Sequence, residues 1–353
     1  MAGILIIKIL LPAIMAFAVG LLLAPLITRY LYHFRAWKKN GGKTALVGGA
    51  AHEFNRLKAK EETKTPRLGG IVIWSSVLLT IAIMFVLKNV FSNPFFTDLF
   101  FISRSQTWLP LSALMLGAFI GLINDVYDIR HGGKGLRLRV RLLIITIFSA
   151  FIGWWFYSKL GVSSIGLPFG QDLEIGIFII PFFILLTTFL YASGIIDGID
   201  GLAGGVFAII FSAYAGVAFI QNQYDLAAFC VLVTGAILAF LWFNVPPARF
   251  WMTETGSMAL TLSLAVVVLM TDQIVDGHGI ILLPIIGFLL CVTVLSNIVQ
   301  LTYRHFFGKK LLRIAPIHHH FEAIGWPSYK VTMRYWIIGM IVAVIGVILA
   351  GII

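Results

Sequence analysis

The sequence predicts an all-α integral membrane protein with about ten transmembrane helices. Of its 353 residues, 59% are hydrophobic and only 12% are charged, and the mean hydropathy is +0.97, which excludes an ordinary soluble globular protein. A helix that crosses a bilayer needs about 20 predominantly apolar residues. Ten runs of roughly this length follow one another along the chain, at residues 4–30, 69–90, 108–124, 140–157, 175–193, 202–220, 225–243, 256–271, 279–302 and 334–353.

Short connections join most of these runs, which predicts a single polytopic membrane domain over residues 1–353. The two cysteines, Cys230 and Cys291, both fall inside apolar runs. They therefore indicate neither a disulfide framework nor a metal site.

The basic residues are divided unevenly between the two sides of the membrane that ten spans define. Of the 26 lysines and arginines, only Lys8, Lys88, Arg104 and Lys159 fall on the side of the two termini. Because cytoplasmic loops carry the excess of Lys and Arg, both termini are predicted to be periplasmic or extracellular. The net charge of +11 is explained by this topology and by attraction to anionic membrane lipid, and a few cations are candidates for binding an anionic substrate. Nucleic acid is not an expected partner, since the cations follow a membrane face with no binding fold beside them.

An acidic motif, Asp197-Gly198-Ile199-Asp200-Gly201, lies between the fifth and sixth predicted spans. Carboxylates so close to hydrocarbon are costly, and chains that retain them usually use them. We expect Asp197 and Asp200 to hold a divalent cation against a phosphorylated substrate. For Asp200, an N-cap on the sixth helix is the alternative.

Further carboxylates occur at the ends of predicted spans on the same side. Asp125 and Asp128 follow the third span, and Glu254 precedes the eighth. Mg²⁺ prefers hard oxygen ligands, usually one or two carboxylates together with substrate phosphates and water. Such a cation neutralises the charge on a diphosphate as it breaks.

A basic segment follows Asp128. It consists of a glycine-rich loop with one lysine at residues 132–135, and then Arg137, Arg139 and Arg141. Carboxylates followed by cations suit a metal–diphosphate site. A membrane-exit cluster with lipid-facing arginines explains the same pattern equally well.

Three consecutive histidines, His318, His319 and His320, lie in the last long connection. Consecutive side chains point in different directions on any regular element, so a three-ligand zinc site is not expected. Imidazoles can donate hydrogen bonds to phosphate or sugar oxygens. An interfacial polar cluster is the alternative.

Taken together, these segments resemble the phospho-N-acetylmuramoyl-pentapeptide transferases. The Asp-Gly-x-Asp-Gly motif is shared with the wider polyprenyl-phosphate sugar-1-phosphate transferases, whereas the histidine triplet in its Ala-Pro-Ile context points to the muramoyl-pentapeptide branch. Ten helices with both termini outside also match this family. The stretches that carry the resemblance run in family order: Thr65-Pro66 with Gly69-Gly70, Asp-Gly-Ile-Asp-Gly-Leu-Ala at 197–203, Phe-Leu-Trp-Phe-Asn at 240–244, Gly256-Ser257, Ala-Pro-Ile-His-His-His-Phe-Glu at 315–322 and Gly-Trp-Pro at 325–327.

The resemblance implies transfer of phospho-MurNAc-pentapeptide from UDP-MurNAc-pentapeptide to undecaprenyl phosphate, which gives lipid I and UMP in the membrane stage of peptidoglycan synthesis. It implies Mg²⁺ as cofactor, a site on the cytoplasmic face, a multi-pass location in the bacterial inner (cytoplasmic) membrane, and a homodimer. With the patterns above, it implies three sets of site residues. The catalytic residues are Asp125, as base or phosphate-activating carboxylate, and Asp197, Asp200, His318, His319 and His320. The metal ligands are Asp125, Asp197 and Glu254. The substrate-binding residues are Thr65, Asn124, Arg139, Arg141, Asn244, His318 and His319.

Five positions depart from the family pattern. One of them, Thr293, stands where some relatives carry a membrane-buried glutamate. Asn124 stands where the family usually has the first of two adjacent aspartates, and Glu254 stands where it usually has aspartate. Gly194 and Ile196 replace the usual Asn and Thr shortly before Asp197.

Asn124, Gly194 and Ile196 favour one alternative, a catalytically weakened homologue that binds lipid phosphate or nucleotide without turnover. A second alternative is a polyprenyl-phosphate N-acetylhexosamine-1-phosphate transferase, and the histidine triplet argues against it. A transporter is the least expected function, since the charges gather at one face instead of along a central pathway.

Overall fold

The chain folds into a bundle of long apolar helices. A computed structural model describes residues 2–39, 42, 62–91, 93–132, 135–168, 171–273 and 277–353. In chain order its elements are α1 (Ala2–His33), α2 (Ile71–Val90), α3 (Pro94–Leu99), α4 (Trp108–Arg130), α5 (Leu138–Leu160), β1 (Ser164–Leu167), β2 (Gln171–Glu174), α6 (Ile179–Ser193), α7 (Leu202–Ile220), α8 (Tyr224–Asn244), α9 (Thr253–Gln273), α10 (Gly279–Ile286), α11 (Phe288–Phe307), α12 (Ile317–Ala323) and α13 (Ser328–Ala350).

The number of membrane-spanning helices agrees with the sequence. Within the described ranges, nine helices are long and apolar enough to cross a membrane, or ten if α10 and α11 form one bent span. The prediction of a helical, multi-pass membrane protein with about ten spans is therefore confirmed.

Helix α9 lies at the centre of the bundle. In an apolar stretch of 18 residues within α9, 94% is buried. The corresponding share is 78% for α8, 72% for α7 and only 22% for α1 and α13. Helix α4 packs against it at backbone distance: a Cβ on Gly121 would lie 2.2 Å from the Glu254 carbonyl oxygen, and one on Gly117 would lie 2.5 Å from that of Met258. Small residues permit such close helix contacts in membrane proteins.

Two helix ends differ from the prediction in a way that matters for the site. Helix α4 continues to Arg130, so Asp125 and Asp128 lie inside its last turns and not beyond its end. Helix α9 begins at Thr253, which places Glu254 in its first turn. Hydropathy marks only the apolar part of a helix, whereas backbone hydrogen bonding continues through the polar residues that follow.

The span predicted over residues 279–302 is not one straight helix. Helices α10 and α11 meet at Gly287 with a bend of 73°. Pro284, one turn earlier, cannot donate a backbone hydrogen bond, and proline and glycine are the usual causes of a sharp break.

A small β-hairpin was not predicted by the all-α assignment. Strands β1 and β2 pair antiparallel with Ser164 opposite Glu174, and the Asp272 carboxylate at the end of α9 accepts a hydrogen bond from the Gly166 N–H at 3.1 Å. Strands of four residues are too short to show a reliable alternation. The predicted loop residues Gly133 and Lys134, and the basic residues Lys43, Arg56, Lys58 and Lys60, lie outside the described residues.

Candidate active site

The site is built where the segment before α2 meets the segment before α9. The Trp251 N–H donates to the Pro66 carbonyl at 2.9 Å, the Gly69 N–H to the Trp251 carbonyl at 2.8 Å, and the Gly70 N–H to the Met252 carbonyl at 3.1 Å. Three backbone hydrogen bonds between segments so distant in sequence fix the start of α9 relative to α2.

Backbone contact between Gly70 and Gly256 tightens this junction. A Cβ on Gly70 would lie 2.2 Å from the Gly256 nitrogen, closer than real Cβ contacts come. This explains why glycine occupies both positions of the pattern. Thr65, predicted to bind substrate, is half-buried just ahead of the junction.

Asp125 is fully buried in α4 and accepts three hydrogen bonds on one oxygen. Its Oδ2 accepts from the Thr253 hydroxyl at 2.6 Å, the Thr255 hydroxyl at 2.6 Å and the Thr255 N–H at 2.8 Å. Burial of a carboxylate is costly without such partners. These bonds join α4 to α9 and leave Oδ1 facing Arg67 and Asn124.

Arg67 is a cation of the site that sequence reasoning missed. Its Nη2 lies 3.3 Å from Asp128 Oδ2 and 3.9 Å from Asp125 Oδ1, and its side chain is only 14% exposed. A guanidinium between two carboxylates offsets their mutual repulsion. Its position inside the Thr65-to-Gly70 stretch was the signal that could have identified it.

Asn124 holds the turn that leaves α4. Its Oδ1 accepts a hydrogen bond from the Leu136 N–H at 2.9 Å, and its Nδ2 lies 3.5 Å from Asp125 Oδ1. A Cβ on Gly135 would approach Asn124 Oδ1 to 2.6 Å. The side chain is therefore enclosed by protein, and its predicted contact with substrate stays a prediction.

Asp197 meets the first residue of α9. Its Oδ2 accepts a hydrogen bond from the Thr253 N–H at 2.8 Å. Because the Thr253 hydroxyl reaches Asp125, a single residue connects two of the predicted carboxylates. Thr253 and Thr255 were not singled out in the sequence, although both flank Glu254.

Asp200 anchors the loop before α9. Its Oδ2 accepts from the Ala248 N–H at 3.0 Å, and its Oδ1 accepts from the Trp251 indole N–H at 3.0 Å. The N-cap of α7 is Gly201, with φ +75°, and no side chain caps that helix. The alternative that Asp200 is the N-cap is therefore wrong, and the carboxylate instead positions the loop that contains Trp251.

Asn244 reinforces the same loop from the end of α8. Its Oδ1 accepts from the Gly201 N–H at 3.0 Å, and its Nδ2 donates to the Phe250 carbonyl at 2.9 Å. With 4% of its surface exposed, Asn244 ties the acidic motif to the residues that precede α9.

Glu254 forms an ion pair with Arg141 of α5. The Arg141 guanidinium also lies 6.0 Å from the ring centre of Tyr191, within reach of a cation–π contact. The structure thus brings Arg141 to the predicted carboxylates. Arg139 differs from it, because its side chain is exposed on the same helix.

Two of the three histidines pack against the acidic motif. A Cβ on Gly198 would lie 2.5 Å from His319 Nε2 and 3.1 Å from His318 Nε2, and both histidines are buried. Only a glycine at 198 allows this approach, so the motif and the triplet form one site.

His320 faces another way, as expected for consecutive residues. Its Nδ1 accepts a hydrogen bond from the Arg313 N–H at 3.2 Å.

The ring of His319 is held by Glu322. His319 Nδ1 lies 2.7 Å from Glu322 Oε2, and the Ser328 hydroxyl donates to Glu322 Oε1 at 2.5 Å. Glu322 therefore orients the His319 ring.

The residues before Asp197 are apolar here. The segment Gly194–Ile196 forms a short 3₁₀ helix, in which Ile196 is completely buried. A Cβ on Gly194 would be 3.5 Å from the Ser257 side chain. Ile196 thus fills one of these two positions with an apolar side chain, whereas Gly194 leaves room for a Cβ at ordinary contact distance.

Carboxylate oxygens are the protein ligands that a hard cation prefers. Among the residues that the structure describes, no group of three or more His, Cys, Asp and Glu side chains is arranged to hold a metal ion. Mg²⁺, however, usually takes only one or two protein carboxylates and completes its shell with phosphates and water. Asp197 accepts a hydrogen bond from the Thr253 N–H, and Glu254 follows Thr253 in the chain. These two carboxylates fit that requirement.

Comparison with known proteins identifies the family to which the chain belongs. The family described as glycosyl transferase family 4 matches residues 107–272. The chain is 32% identical over 342 residues to a protein of Geobacillus sp. (strain WCH70), with 95% of each chain covered. It is 33% identical over 303 residues to one of Chloroflexus aurantiacus, covering 81% of this chain and 77% of the relative. It is 30% identical over 349 residues to one of Anoxybacillus flavithermus, covering 96% and 97%. All three relatives are named phospho-N-acetylmuramoyl-pentapeptide-transferase.

Proposed function

Since the chain belongs to the phospho-N-acetylmuramoyl-pentapeptide-transferase family, we propose that it transfers phospho-MurNAc-pentapeptide from UDP-MurNAc-pentapeptide to undecaprenyl phosphate. An oxygen of the lipid phosphate attacks the sugar-linked phosphorus. The bond between that phosphorus and the bridging oxygen breaks, and UMP leaves with the electron pair. The products are undecaprenyl-diphospho-MurNAc-pentapeptide and UMP.

One observation carries the proposal. Asp125, Asp197 and Glu254 come from different parts of the chain and meet at the first three residues of α9. Carboxylates concentrated at one end of an apolar bundle, with Arg67 and Arg141 beside them, suit a phosphorylated substrate and its counter-cation.

Asp125 is assigned a positioning role in place of a base. Its Oδ2 is already occupied by three donors, and the second pKa of a phosphate monoester, about 6, leaves the lipid phosphate largely ready to attack at neutral pH. We propose that the Oδ1 of Asp125, with Asp128, orients Arg67 toward the diphosphate.

Asp197 and Glu254 would hold Mg²⁺. The Asp125 carboxylate is less suited to this role, because its side chain is completely buried. When bound, the cation neutralises charge on the diphosphate. Arg141 keeps Glu254 oriented, and it supplies a further positive charge close to the breaking bond.

The two buried histidines would bind substrate oxygens. With Glu322 on its Nδ1, the His319 ring turns Nε2 toward Gly198, and His318 lies beside it with ring centres 4.4 Å apart. In this arrangement imidazole N–H groups donate to phosphate or sugar oxygens held above the acidic motif.

The orientation of the protein belongs to the same proposal. The excess of cations in the connections after odd-numbered spans supports a cytoplasmic site, two external termini and a location in the bacterial inner membrane. The homodimer implied by the family resemblance is proposed with it, and the mass of the detergent-solubilised protein measured by light scattering would test that.

The decisive experiment uses purified protein in detergent with undecaprenyl phosphate and Mg²⁺. UDP-MurNAc-pentapeptide or UDP-GlcNAc is added, and UMP release is followed. UMP from the first donor alone is the expected result. UMP from UDP-GlcNAc alone would identify an N-acetylhexosamine-1-phosphate transferase.

Absence of UMP with both donors would overturn an enzymatic function. Calorimetric binding of UDP-MurNAc-pentapeptide to the same inactive protein would then identify a weakened homologue. The variant Asp197→Asn serves as the inactive control, and its melting temperature reports whether it has folded.

A further inference from the structure

Thr253 adopts a backbone conformation that is rare for its residue type. Its φ is +55°, in the left-handed region where a β-branched side chain is an outlier. Strain of this kind persists only where the surroundings enforce it, and it concentrates at functional sites. The first residue of α9 is therefore held in place by its contacts and not by its own preference.

The strained conformation lets Thr253 bind three segments at once. Its N–H donates to Asp197 Oδ2 at 2.8 Å, its hydroxyl donates to Asp125 Oδ2 at 2.6 Å, and the same hydroxyl accepts from the Leu68 N–H at 3.2 Å. Asp125 and Asp197 are thus both oriented by one residue, which is only 7% exposed.

Thr255 completes the arrangement two residues later. Fully buried, it donates both its N–H and its hydroxyl to Asp125 Oδ2, at 2.8 and 2.6 Å. Glu254 lies between the two threonines and points to Arg141. The direction of Glu254 therefore depends on two neighbours that are both fastened to Asp125.

We propose that Thr253 and Thr255 are positioning residues that clamp Asp125 and thereby set the placement of Asp197 and Glu254 around the reacting diphosphate. This inference rests on the proposed function for its kinetic readout. Neither threonine touches the reacting atoms, so loss of a hydroxyl lowers kcat and leaves KM for both substrates nearly unchanged.

A purely structural role makes a different prediction. Thr253→Gly removes the unfavourable φ and keeps the N–H that binds Asp197, but it leaves Asp125 with one donor fewer and the Leu68 N–H without its acceptor. The melting temperature therefore does not separate the two roles, and turnover of the folded variant does. A structural role predicts normal kcat, whereas the clamp predicts kcat at least tenfold lower. Thr253→Ser retains a hydroxyl with the same donor and acceptor capacity, so its kcat should stay within about threefold of the wild-type value.

The experiment measures kcat, KM and melting temperature for Thr253→Gly, Thr253→Ser and Thr255→Val. Thr271→Val is the matched control, since Thr271 is a buried threonine of the same helix whose hydroxyl donates to the Val267 and Val268 carbonyls of α9 itself. Its kcat should equal that of the wild type. Should Thr253→Gly fail to fold, Thr255→Val carries the same test.

The outcomes separate this inference from the proposed function. If the wild type releases UMP and Thr253→Gly or Thr255→Val keeps its kcat, the clamp is overturned and the function stands. If the drop in kcat is not relieved in Thr253→Ser, the hydroxyl is not its cause and the clamp is again overturned. If the wild type releases no UMP, the proposed function fails and the positioning role fails with it.

Discussion

Arg141 of α5 and Glu254 of α9 form an ion pair although 113 residues separate them in sequence. Neither side chain is fully exposed, at 18% and 26% of its surface. A charge pair that is partly shielded from water interacts more strongly than one on the surface. The pair therefore fixes Glu254 before any substrate binds.

Removal of this partner should impair turnover. We expect Arg141→Ala to lower kcat/KM about tenfold or more, and Arg141→Lys to recover part of the loss, because lysine keeps the charge but not the planar fork. UMP release measures both. Arg130→Ala is the control, since Arg130 is exposed at the end of α4; a rate for Arg141→Ala equal to that of Arg130→Ala would contradict the assignment.

The proposed metal ligands make a second prediction. Asp197→Asn and Glu254→Gln should each lower kcat on the order of 10²-fold, the usual effect of losing one group that stabilises charge in the transition state. Removal of divalent cations with EDTA should abolish wild-type turnover, and added Mg²⁺ should restore it. Wild-type rates in both variants, at equal melting temperature, would refute the ligand assignment.

Gly198 supports a third prediction. A Cβ there would lie 2.5 Å from His319 Nε2, so Gly198→Ala should displace the ring, and the protein should fold but lose most of its turnover. Gly70→Ala should prevent folding, because the Cβ meets the Gly256 backbone at 2.2 Å. Gly3→Ala, with nothing within 4 Å of the added atom, should behave as the wild type. Full activity of Gly198→Ala would separate the histidines from the reaction.

Asn124→Asp tests a departure from the family pattern. The new carboxylate would keep the bond from the Leu136 N–H but would be buried beside Asp125 Oδ1, where Asn124 Nδ2 now lies at 3.5 Å. Two adjacent buried carboxylates repel each other, so we expect a lower melting temperature and no gain in kcat. A large gain would mean that the natural asparagine limits catalysis.

Asn244 makes a prediction about stability. Asn244→Ala would leave the Gly201 N–H and the Phe250 carbonyl without their partner, and each unsatisfied buried group costs about 1–3 kcal/mol. Thermal unfolding in detergent measures the loss. Asn89→Ala removes an exposed side chain that donates to the Phe85 carbonyl, and it should cost less than about 0.5 kcal/mol. Equal stability of the two variants would contradict the assigned contacts.

The spans were predictable because the bilayer imposes a local rule. Each span needs enough consecutive apolar residues, and that property is read directly from the chain. The break at Gly287 and the hairpin over residues 164–174 follow no such rule. The first occurs at Pro284 and Gly287, which hydropathy does not distinguish from the rest of an apolar run, and the second depends on Asp272, far along the chain.

Some residues of the site were likewise predictable from the sequence, and others were not. Asp125, Asp197 and Glu254 stood out because carboxylates near hydrocarbon are rare and costly. Arg67 and Thr253 are ordinary residues in the sequence, and only their contacts give them importance. Asp200 illustrates the opposite case, since its position suggested a helix cap whereas its carboxylate binds the Trp251 loop.

The sequence by itself determined that this is a multi-pass helical membrane protein, and its motifs identified a family and a set of acidic residues. Only the tertiary structure decided which of these residues meet. Thr253 reaches Asp197 across 56 residues and Asp125 across 128. Hydropathy adds up along neighbouring residues, whereas contacts at such separations depend on how the helices pack around α9, and packing is a property of the whole chain.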